Sequence, residues 1–370
     1  MNKTISNIDL KDRSFNSQRY HLINKLRTSL FGNLRIYHFF RYIAKKKKLD
    51  HTIDYFVGKD ISSKRRKELK KLMKNAMINY HWEFDEFFLF DFEHSSEKEK
   101  KQFVPEFEKN VFCDQINDSQ QADLFLDKWT TYCYFKDYFK RDVLNIRSLD
   151  DLDQDDFKTF IENHKEFILK PVFAARGHGI RIVRTTGYSD AKSQLKTIFN
   201  SGLTAFVLEE LIIQEQTMAA FHPSSVNTLR IATLRLNDRV EIIHPRIRLG
   251  RGDAVVDNAG SGGIIGNIDL KTGQVYAACD KKGIKYDLHP DTGLKIVGFK
   301  IPRFEEALEL VKQLSNVLPK VKYVGWDVAL RDDGWVMIEG NDKGQLGFQY
   351  PNHEGFADEL EKYRKELLRH

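Results

Sequence analysis

The sequence KYVGWDVALRDDGWVMIEGNDKGQ, residues 322–345, consists of two apolar segments separated by the turn signal Asp-Asp-Gly at 332–334. Two apolar segments around such a turn predict a β-hairpin. A three-residue loop with its glycine in the left-handed conformation is a common hairpin connection, and in that register Asp327 lies opposite Glu339. Asn341 is two residues further along and shares a face with Glu339. The hairpin thus brings two carboxylates and an amide oxygen together.

These three polar groups stand on otherwise apolar strands. A buried carboxylate needs a counter-charge, and carboxylate and amide oxygens are the ligands that Mg²⁺ takes when it also holds nucleotide phosphates. Asp327, Glu339 and Asn341 are therefore candidate metal ligands. A salt bridge to an arginine is the alternative, and it accounts for one carboxylate but not for all three groups.

Upstream, residues 224–250 read as two more strands joined at Asn-Asp 237–238. Arg246 and Arg248 are two apart on the second strand and share a face, and Arg230 lies on the first. Guanidinium groups on one strand face suit a phosphate or a carboxylate. The three arginines are candidate anion-binding residues.

A strand–loop–strand segment covers residues 167–183. FILKPV carries Lys170 near the end of a strand, the loop AARGHGI contains Gly177 and Gly179, and IRIV is the second strand. The glycines allow the backbone to approach a phosphate closely, and Lys170 supplies a compact positive charge. The alternative is an ordinary hairpin with a glycine turn.

The next strand, AFVLEELII at 205–213, is apolar and ends in Glu209 and Glu210. A strand beside a cleft between two domains can present backbone donors and acceptors to a purine edge. Gln214, Glu215 or Gln216 could then contact a ribose hydroxyl. The alternative is a buried strand with a polar end.

Composition narrows the class of protein. The 370 residues are 41% hydrophobic and 30% charged, with a net charge of +6, which is typical of a globular chain and does not demand a nucleic-acid partner. The three cysteines are far apart and not in metal-site spacing, so no disulfide framework or zinc site is expected. The first residues lack the apolar core of a signal peptide, and a cytoplasmic location fits best.

The N-terminal third is basic and aromatic. Residues 14–49 contain no acidic residue, and a run of four lysines occupies 45–48. A basic amphipathic helix of this kind can lie on an anionic membrane surface. The alternative is a solvated basic helix packed on the rest of the protein.

Taken together, the motifs over roughly residues 120–350 resemble the ATP-grasp superfamily of ATP-dependent carboxylate ligases. The phrases HPSSVNTLRIATLR and VGWDVALRDDGWVMIEGN are similar to the sugar-transfer-associated branch. The resemblance implies ATP and Mg²⁺ as cofactors, with the metal on Asp327, Glu339 and Asn341. It also implies a nucleotide site formed by Lys128, Lys170, Arg176, Gly177, His178, Gly179, Glu209, Glu210, Leu211, Ile212 and either Glu215 or Gln216.

The fold implied by the resemblance is α+β, an ATP-grasp fold with a small lid and a larger antiparallel sheet. Three regions are expected: a helical basic region at 1–118, a lid with the phosphate loop and hinge at 119–213, and a C-terminal unit with the metal and carboxylate sites at 214–370. The helical N-terminal region departs from the α/β domain that usually precedes this fold.

The reaction implied by the resemblance is ligation of a carboxylate to an amine through an acyl phosphate, with Arg230, Arg246 or Arg248 holding the carboxylate. A cell-surface glycan context, with a sugar or glycan precursor as substrate, is implied by the branch. A kinase acting on a sugar or another small acceptor is the main alternative, and a catalytically idle nucleotide- or glycan-binding module is a third.

Overall fold

The computed structural model describes residues 35–173, 178–253 and 262–368. Within these ranges the expected α+β class is confirmed, because the helices form an N-terminal region and cover two separate antiparallel sheets. No helix in the described ranges has both the length and the apolar character that crossing a bilayer requires.

The N-terminal region is helical, as expected, from the first described residue onward. The Ser62 hydroxyl accepts a hydrogen bond from the Arg65 amide at 3.1 Å and caps the longest of its helices. That helix ends before His81, whose φ of 63° turns the chain away, so residues 62–92 do not form one continuous helix. The helices are Arg35–Lys45, Leu49–Phe56, Ser63–Asn79, Glu86–Leu89, Glu97–Lys100 and Glu106–Ile116, with a 3₁₀ turn at Lys46–Lys48.

An aromatic cluster forms the core of this region. The buried Trp82 ring makes edge contacts with Phe90, Phe92 and Phe103, at centroid distances of 5.1, 5.2 and 5.9 Å. The Phe90 ring also lies 5.5 Å from that of Tyr350, near the end of the chain. The N-terminal region is therefore packed onto the C-terminal part of the protein.

The small sheet has four antiparallel strands in the order β1-β4-β2-β3. The helices Asp155–Asn163 and Tyr188–Asn200 pack their apolar residues into the same core as the strands. The strands are β1 Val143–Ile146, β2 Glu166–Pro171, β3 Arg181–Arg184 and β4 Phe206–Glu210. The strand predictions around Lys170 and Glu209 are confirmed.

The large sheet has six antiparallel strands in the order β10-β9-β5-β6-β7-β8. Helix Phe304–Val317 covers one face with Leu308, Val311 and Leu314, as its spacing predicts. The strands are β5 Thr228–Arg235, β6 Val240–Leu249, β7 Ile264–Ile268, β8 Val275–Asp280, β9 Tyr323–Arg331 and β10 Gly334–Asn341. The remaining helices are Ser119–Ala122, Lys128–Phe139, Gln216–Ala219, Gln349–Asn352 and Ala357–Leu368, with 3₁₀ turns at Asp123–Leu126 and Asp150–Asp153.

The hairpin of β9 and β10 forms in a different register from the one predicted. Gly334 pairs with Arg331, so the loop has two residues and the expected three-residue loop is wrong. A β-bulge at Ile338 then adds one residue to β10, and Asp327 still pairs with Glu339. The shorter loop and the bulge shift the register by one residue in opposite directions. Asp327 and Glu339 therefore lie opposite each other, as predicted.

The hydrophobic core does not follow the expected boundary at 118/119. Phe125, Phe135 and Phe139 pack in the core of the large sheet, with Trp326, and not in that of the small sheet. The bounds of the three predicted regions stay a prediction. The helix Lys128–Phe139 packs on the large sheet, and β1 of the small sheet follows directly after it. The helix therefore connects the two sheets.

Gly340 lies where β10 crosses this aromatic core. A Cβ added there would lie 2.5 Å from Cε1 of Phe125 and 2.9 Å from Trp326. We expect Gly340→Ala to lower the free energy of unfolding by about 1–3 kcal/mol through overpacking, measured by urea denaturation. Gly187→Ala is the matched control, because nothing lies within 4 Å of its added Cβ. Equal stability of the two variants would contradict the close packing of β10.

Candidate functional site

A cleft of about 1370 Å³ lies between the small sheet, the large sheet and the N-terminal region. Most of the residues singled out in the sequence line it, although they come from six strands, one helix and two loops. Those lining residues are Lys128, Lys170, His178, Glu209, Glu210, Leu211, Ile212, Arg230, Arg246, Arg248, Asp327, Glu339 and Asn341.

On the large sheet, Asp327 is held by two arginines. Arg230 pairs with Asp327 across β5 and β9, and its guanidinium donates to both carboxylate oxygens, with Nη2 at 2.8 Å from Oδ2. Arg248 Nη1 donates to Oδ2 at 2.8 Å. Burial raises the pKa of Asp327, but the two guanidinium groups outweigh it and lower that pKa to about 2. Asp327 is therefore ionised at neutral pH.

Arg246 lies opposite Arg230 in the β5–β6 register. Its Nη2 donates to the carbonyl oxygen of Gln345 at 2.6 Å, whereas its buried Nε has no partner among the described residues. Burial lowers the pKa of Arg246 to about 10, and the charge of Arg230 adds to the effect. A buried cation with an unused donor is suited to bind an anionic group of a ligand.

Beside these arginines, Glu339 and Asn341 project from β10. In the part of the chain that the structure describes, no side-chain hydrogen bond or ion pair engages Glu339, and the buried Nδ2 of Asn341 also has no partner. The Glu339 carboxylate and the Asn341 Oδ1 are the oxygen ligands that a hard cation such as Mg²⁺ prefers, whereas the Asn341 Nδ2 is a donor and not a metal ligand. Both Asp327 oxygens already accept from arginines: Oδ2 accepts two hydrogen bonds and Oδ1 accepts one, so a lone pair is left on Oδ1 alone. The metal role of all three residues stays a prediction.

On the small sheet, Glu209 is the centre of a second buried charge cluster. Its Oε2 accepts from Lys170 Nζ at 2.8 Å and from Arg141 Nη2 at 2.7 Å. Burial raises the pKa of Glu209, but Lys170 and Arg141 outweigh it and lower that pKa to about 2. Arg141 Nη1 also donates to the Met337 carbonyl at 2.6 Å, so one guanidinium joins the two sheets at the cleft.

Arg141 was missed in the sequence. It follows a helix end and has no motif around it, and only the presence of Glu209 on an apolar strand indicates that a counter-charge must exist. Nothing in the sequence identifies which cation supplies it.

Lys128 lies at the first turn of its helix, capped by the Asp127 side chain, which accepts from the Thr130 amide at 2.9 Å. Burial lowers the pKa of Lys128. The negative charge of Glu339 raises the pKa of Lys128, and the positive charge of Lys170 lowers it. Lys128 is therefore close enough to both groups to interact with them electrostatically. The two lysines and the carboxylate predicted to bind phosphates and metal thus face one another.

The segment after β4 borders the cleft with unpaired backbone. Within the described ranges, the backbone N–H and C=O groups of Leu211 and Ile212 make no hydrogen bond, and Glu215 N resumes pairing by donating to the Leu330 carbonyl at 2.9 Å. Buried or cleft-facing backbone groups without partners are available to a ligand. This is the geometry expected for recognition of a purine edge.

Neither Glu215 nor Gln216 is among the described residues that line the cleft. The Glu215 carboxylate caps the helix Gln216–Ala219 by accepting from the Thr217 and Met218 amides, at 3.0 and 3.1 Å, and Gln216 is exposed. A side chain that accepts hydrogen bonds from backbone amides is favoured at a helix N-cap, which explains why Glu215 occupies this position.

The phosphate loop is described only in part. Arg176 and Gly177 lie outside the described residues, and His178 lines the cleft. Gly179 has a φ of 75°, and a Cβ there would lie 2.8 Å from Cγ of Pro171. That position therefore requires glycine.

A wall of the cleft comes from the N-terminal region and was not anticipated. Asp85 and Glu106 line it opposite Lys281 and Tyr350. Although Asp85 is accessible from the cleft, desolvation by the surrounding protein raises its pKa, and Glu83 adds to the rise. This wall is held to the large unit by buried hydrogen bonds, among them Lys109 Nζ to the Lys343 carbonyl at 2.6 Å.

The chain is similar to known proteins in sequence and in fold. A family model described as sugar-transfer associated ATP-grasp matches residues 108–365, more than half of the chain. No curated protein matches the sequence.

Solved structures with a similar fold are distant in sequence. D-alanine–D-alanine ligase from Helicobacter pylori is 14% identical with a TM-score of 0.40, over 66% of this chain and 61% of that one. N5-carboxyaminoimidazole synthetase from Staphylococcus aureus, complexed with ADP, is 11% identical with a TM-score of 0.43, over 72% and 58%. D-alanine–D-alanine ligase from Bacillus anthracis, complexed with ATP, is 13% identical with a TM-score of 0.43, over 68% and 69%. The chain spans less than two thirds of the length of the first two.

The ion pairs of Asp327 make stability depend on pH. Because the folded-state pKa of about 2 lies below the usual value, the ionised carboxylate stabilises the fold above about pH 4, and this contribution is lost as the pH falls through about 2. We expect Asp327→Asn to lower the free energy of unfolding at neutral pH by about 3 kcal/mol, because two buried arginines lose their counter-charge. The difference from the unmodified chain should shrink between about pH 4 and pH 2.

Urea denaturation at several pH values measures this effect. Asp333→Asn is the control on the same hairpin, because the Asp333 carboxylate is exposed and its ion pair with Arg331, at 3.1 Å, is therefore weak. A cost for Asp327→Asn that does not change with pH would contradict the ion-pair account.

Proposed function

Because the chain belongs to the sugar-transfer-associated ATP-grasp family, we propose that it joins a carboxylate to an amine while converting ATP to ADP and phosphate. One observation carries the proposal. The same cleft holds two lysines, Glu339 and Asn341 on β10, and the buried cation Arg246; among the described residues, no side chain pairs with Glu339 and the Arg246 Nε has no partner. The cleft therefore has places for a nucleotide and for a second anionic substrate.

The nucleotide end lies between the two sheets. The free backbone groups of Leu211 and Ile212 would receive the adenine edge, and Lys128 and Lys170 would neutralise phosphate charge. Lys170 already contacts Glu209, so it is oriented before a ligand arrives. Mg²⁺ held by Glu339 and Asn341, with Asp327 beside them, would supply further charge neutralisation on the phosphates.

The carboxylate end is the arginine group on β5 and β6. Arg246 would hold the substrate carboxylate through its guanidinium group, with Arg230 and Arg248 fixed beside it by Asp327. One carboxylate oxygen would attack the γ-phosphorus, breaking its bond to ADP and forming an acyl phosphate. The chain supplies positioning and fixed positive charge to this step rather than a covalent nucleophile.

The amine end is the acidic wall from the N-terminal region. Asp85 and Glu106 would attract a cationic amine, and the raised pKa of Asp85 suits it to accept the proton that the amine must lose before attack. The neutral amine would then attack the acyl carbon and expel phosphate. The description of the family suggests a sugar-related role, and we propose that one substrate is a sugar-containing precursor of a cell-surface glycan.

Release of ADP and phosphate from ATP and Mg²⁺, across a panel of carboxylates crossed with amines, tests this function. Release that requires both an acid and an amine, with an amide as product, is expected. Formation of ADP and a stable phosphorylated acceptor without free phosphate would replace the ligase with a kinase.

Glu339→Gln tests the nucleotide end. The variant should fold normally, because no described residue pairs with this side chain, and should lower ATP turnover by about a hundredfold or more, because it removes charge at the phosphates. Steady-state ADP release measures the effect. Glu361→Gln, on an exposed helix face, is the matched control. Turnover in Glu339→Gln equal to that of the control would remove Glu339 from the site.

Arg246→Ala tests the carboxylate end. We expect the KM for the acid to rise about tenfold to a hundredfold through the lost charge-assisted hydrogen bonds, with the KM for ATP unchanged. Arg239→Ala, which removes an exposed arginine paired with Glu366, is the control. A rise in the KM for ATP with no change for the acid would instead place Arg246 at the phosphates.

A further inference from the structure

Helix Arg35–Lys45 has one face bound to the protein and another that is largely exposed among the described residues, where Lys74 Nζ lies 5.5 Å from the Phe39 ring at its edge. We propose that this outer face, together with the lysines that follow it, docks the protein on an anionic phospholipid surface. The proposal concerns a surface separate from the cleft and does not depend on the reaction.

The inner face is firmly attached. His38 is buried and its ring stacks on that of His81 at 3.7 Å. The Arg41 guanidinium lies 4.0 Å from the Phe107 ring centroid and pairs with Glu83 at 2.6 Å, and Lys45 pairs with the same carboxylate at 2.6 Å. These contacts fix the rotation of the helix about its axis and so determine which residues point outward.

The outer face is apolar. Ile36 and Phe40 are 61% and 63% exposed, and Phe39 and Ile43 are 39% and 40% exposed. At about 100° per residue, these four side chains occupy an arc of about 100° centred opposite His38 and Lys45. A helix that is anchored on one side and apolar on the other has the pattern of an interfacial helix.

Positive charge adjoins this face. Lys46, Lys47 and Lys48 form an exposed 3₁₀ turn at the end of the helix. The sequence contains no acidic residue between 14 and 49, so nearby acids on the same segment do not neutralise them. Apolar side chains flanked by lysines match a bilayer surface, where acyl chains lie beneath anionic headgroups.

Positive charge disfavours two other occupants of the outer face, a second copy of the chain and residues 1–34. A second copy, related by a two-fold axis, would bring two basic segments together in either orientation of the helices, because residues 14–49 contain no acidic residue. Residues 1–34 of the chain carry six Lys or Arg and two Asp, so their net charge is also positive. An anionic lipid surface is the occupant with the complementary charge.

Cosedimentation of the full chain with phosphatidylcholine vesicles, with and without phosphatidylglycerol, tests the proposal. Binding is expected only with phosphatidylglycerol, and it should weaken as salt rises. Ile36→Ser with Phe40→Ser should weaken binding about tenfold or more. Replacing Lys46, Lys47 and Lys48 by Gln should weaken it about fivefold for each lysine. Neither variant should change the thermal unfolding midpoint, because these side chains face outward.

Ile284→Ser with Leu288→Ser is the matched control, because these apolar side chains are 52% and 54% exposed elsewhere on the surface. Three results would overturn the proposal. One is a full chain that does not prefer phosphatidylglycerol, and another is equal binding by the Ile36/Phe40 variant and the control. The third is a dimer on size-exclusion chromatography that the Ile36/Phe40 variant converts to a monomer, which would make the face a contact between copies.

Discussion

The ion pairs of Asp327 with Arg230 and Arg248 are the interaction on which the cleft depends. Three arginines on adjacent antiparallel strands would repel one another in a site with little water, and a buried guanidinium is costly without a counter-charge. Asp327 supplies that charge from the neighbouring strand β9. With two arginines held in this way, Arg246 lines the same cleft, and its buried Nε has no partner among the described residues. The large sheet is thus a preformed anion site rather than a surface that must assemble around its ligand.

A second group of buried ion pairs joins the two sheets. Glu209 on the small sheet is buried with Lys170 and Arg141, and Arg141 also donates to the backbone of β10. The lysine predicted to meet phosphate and the strand predicted to hold metal are therefore linked through one guanidinium. The N-terminal region closes the third side of the cleft with acidic groups. Opposite charges at the two ends of one cleft are a physical basis for placing an acid and an amine next to each other.

Local pattern was enough to predict the strands around Lys170, Glu209 and the arginines. Alternation and turn residues act over a few positions, so a single sequence reveals them. The bulge at Ile338 and the role of Arg141 depend on contacts between distant segments, which the sequence does not display. Glu215 shows a further limit, because an acid that caps a helix looks the same in sequence as one that binds a ligand. The acidic wall was missed because its residues come from a region without a motif.

The central claim is that a carboxylate oxygen attacks ATP in this cleft. It is tested most directly by the fate of oxygen labelled with ¹⁸O in the carboxylate of an acid that supports ADP release. The account predicts that one labelled oxygen appears in the phosphate released when the amine is present, because the acyl phosphate breaks at the acyl carbon. Released phosphate without the label would mean that no acyl phosphate forms, and the ligase mechanism would be wrong.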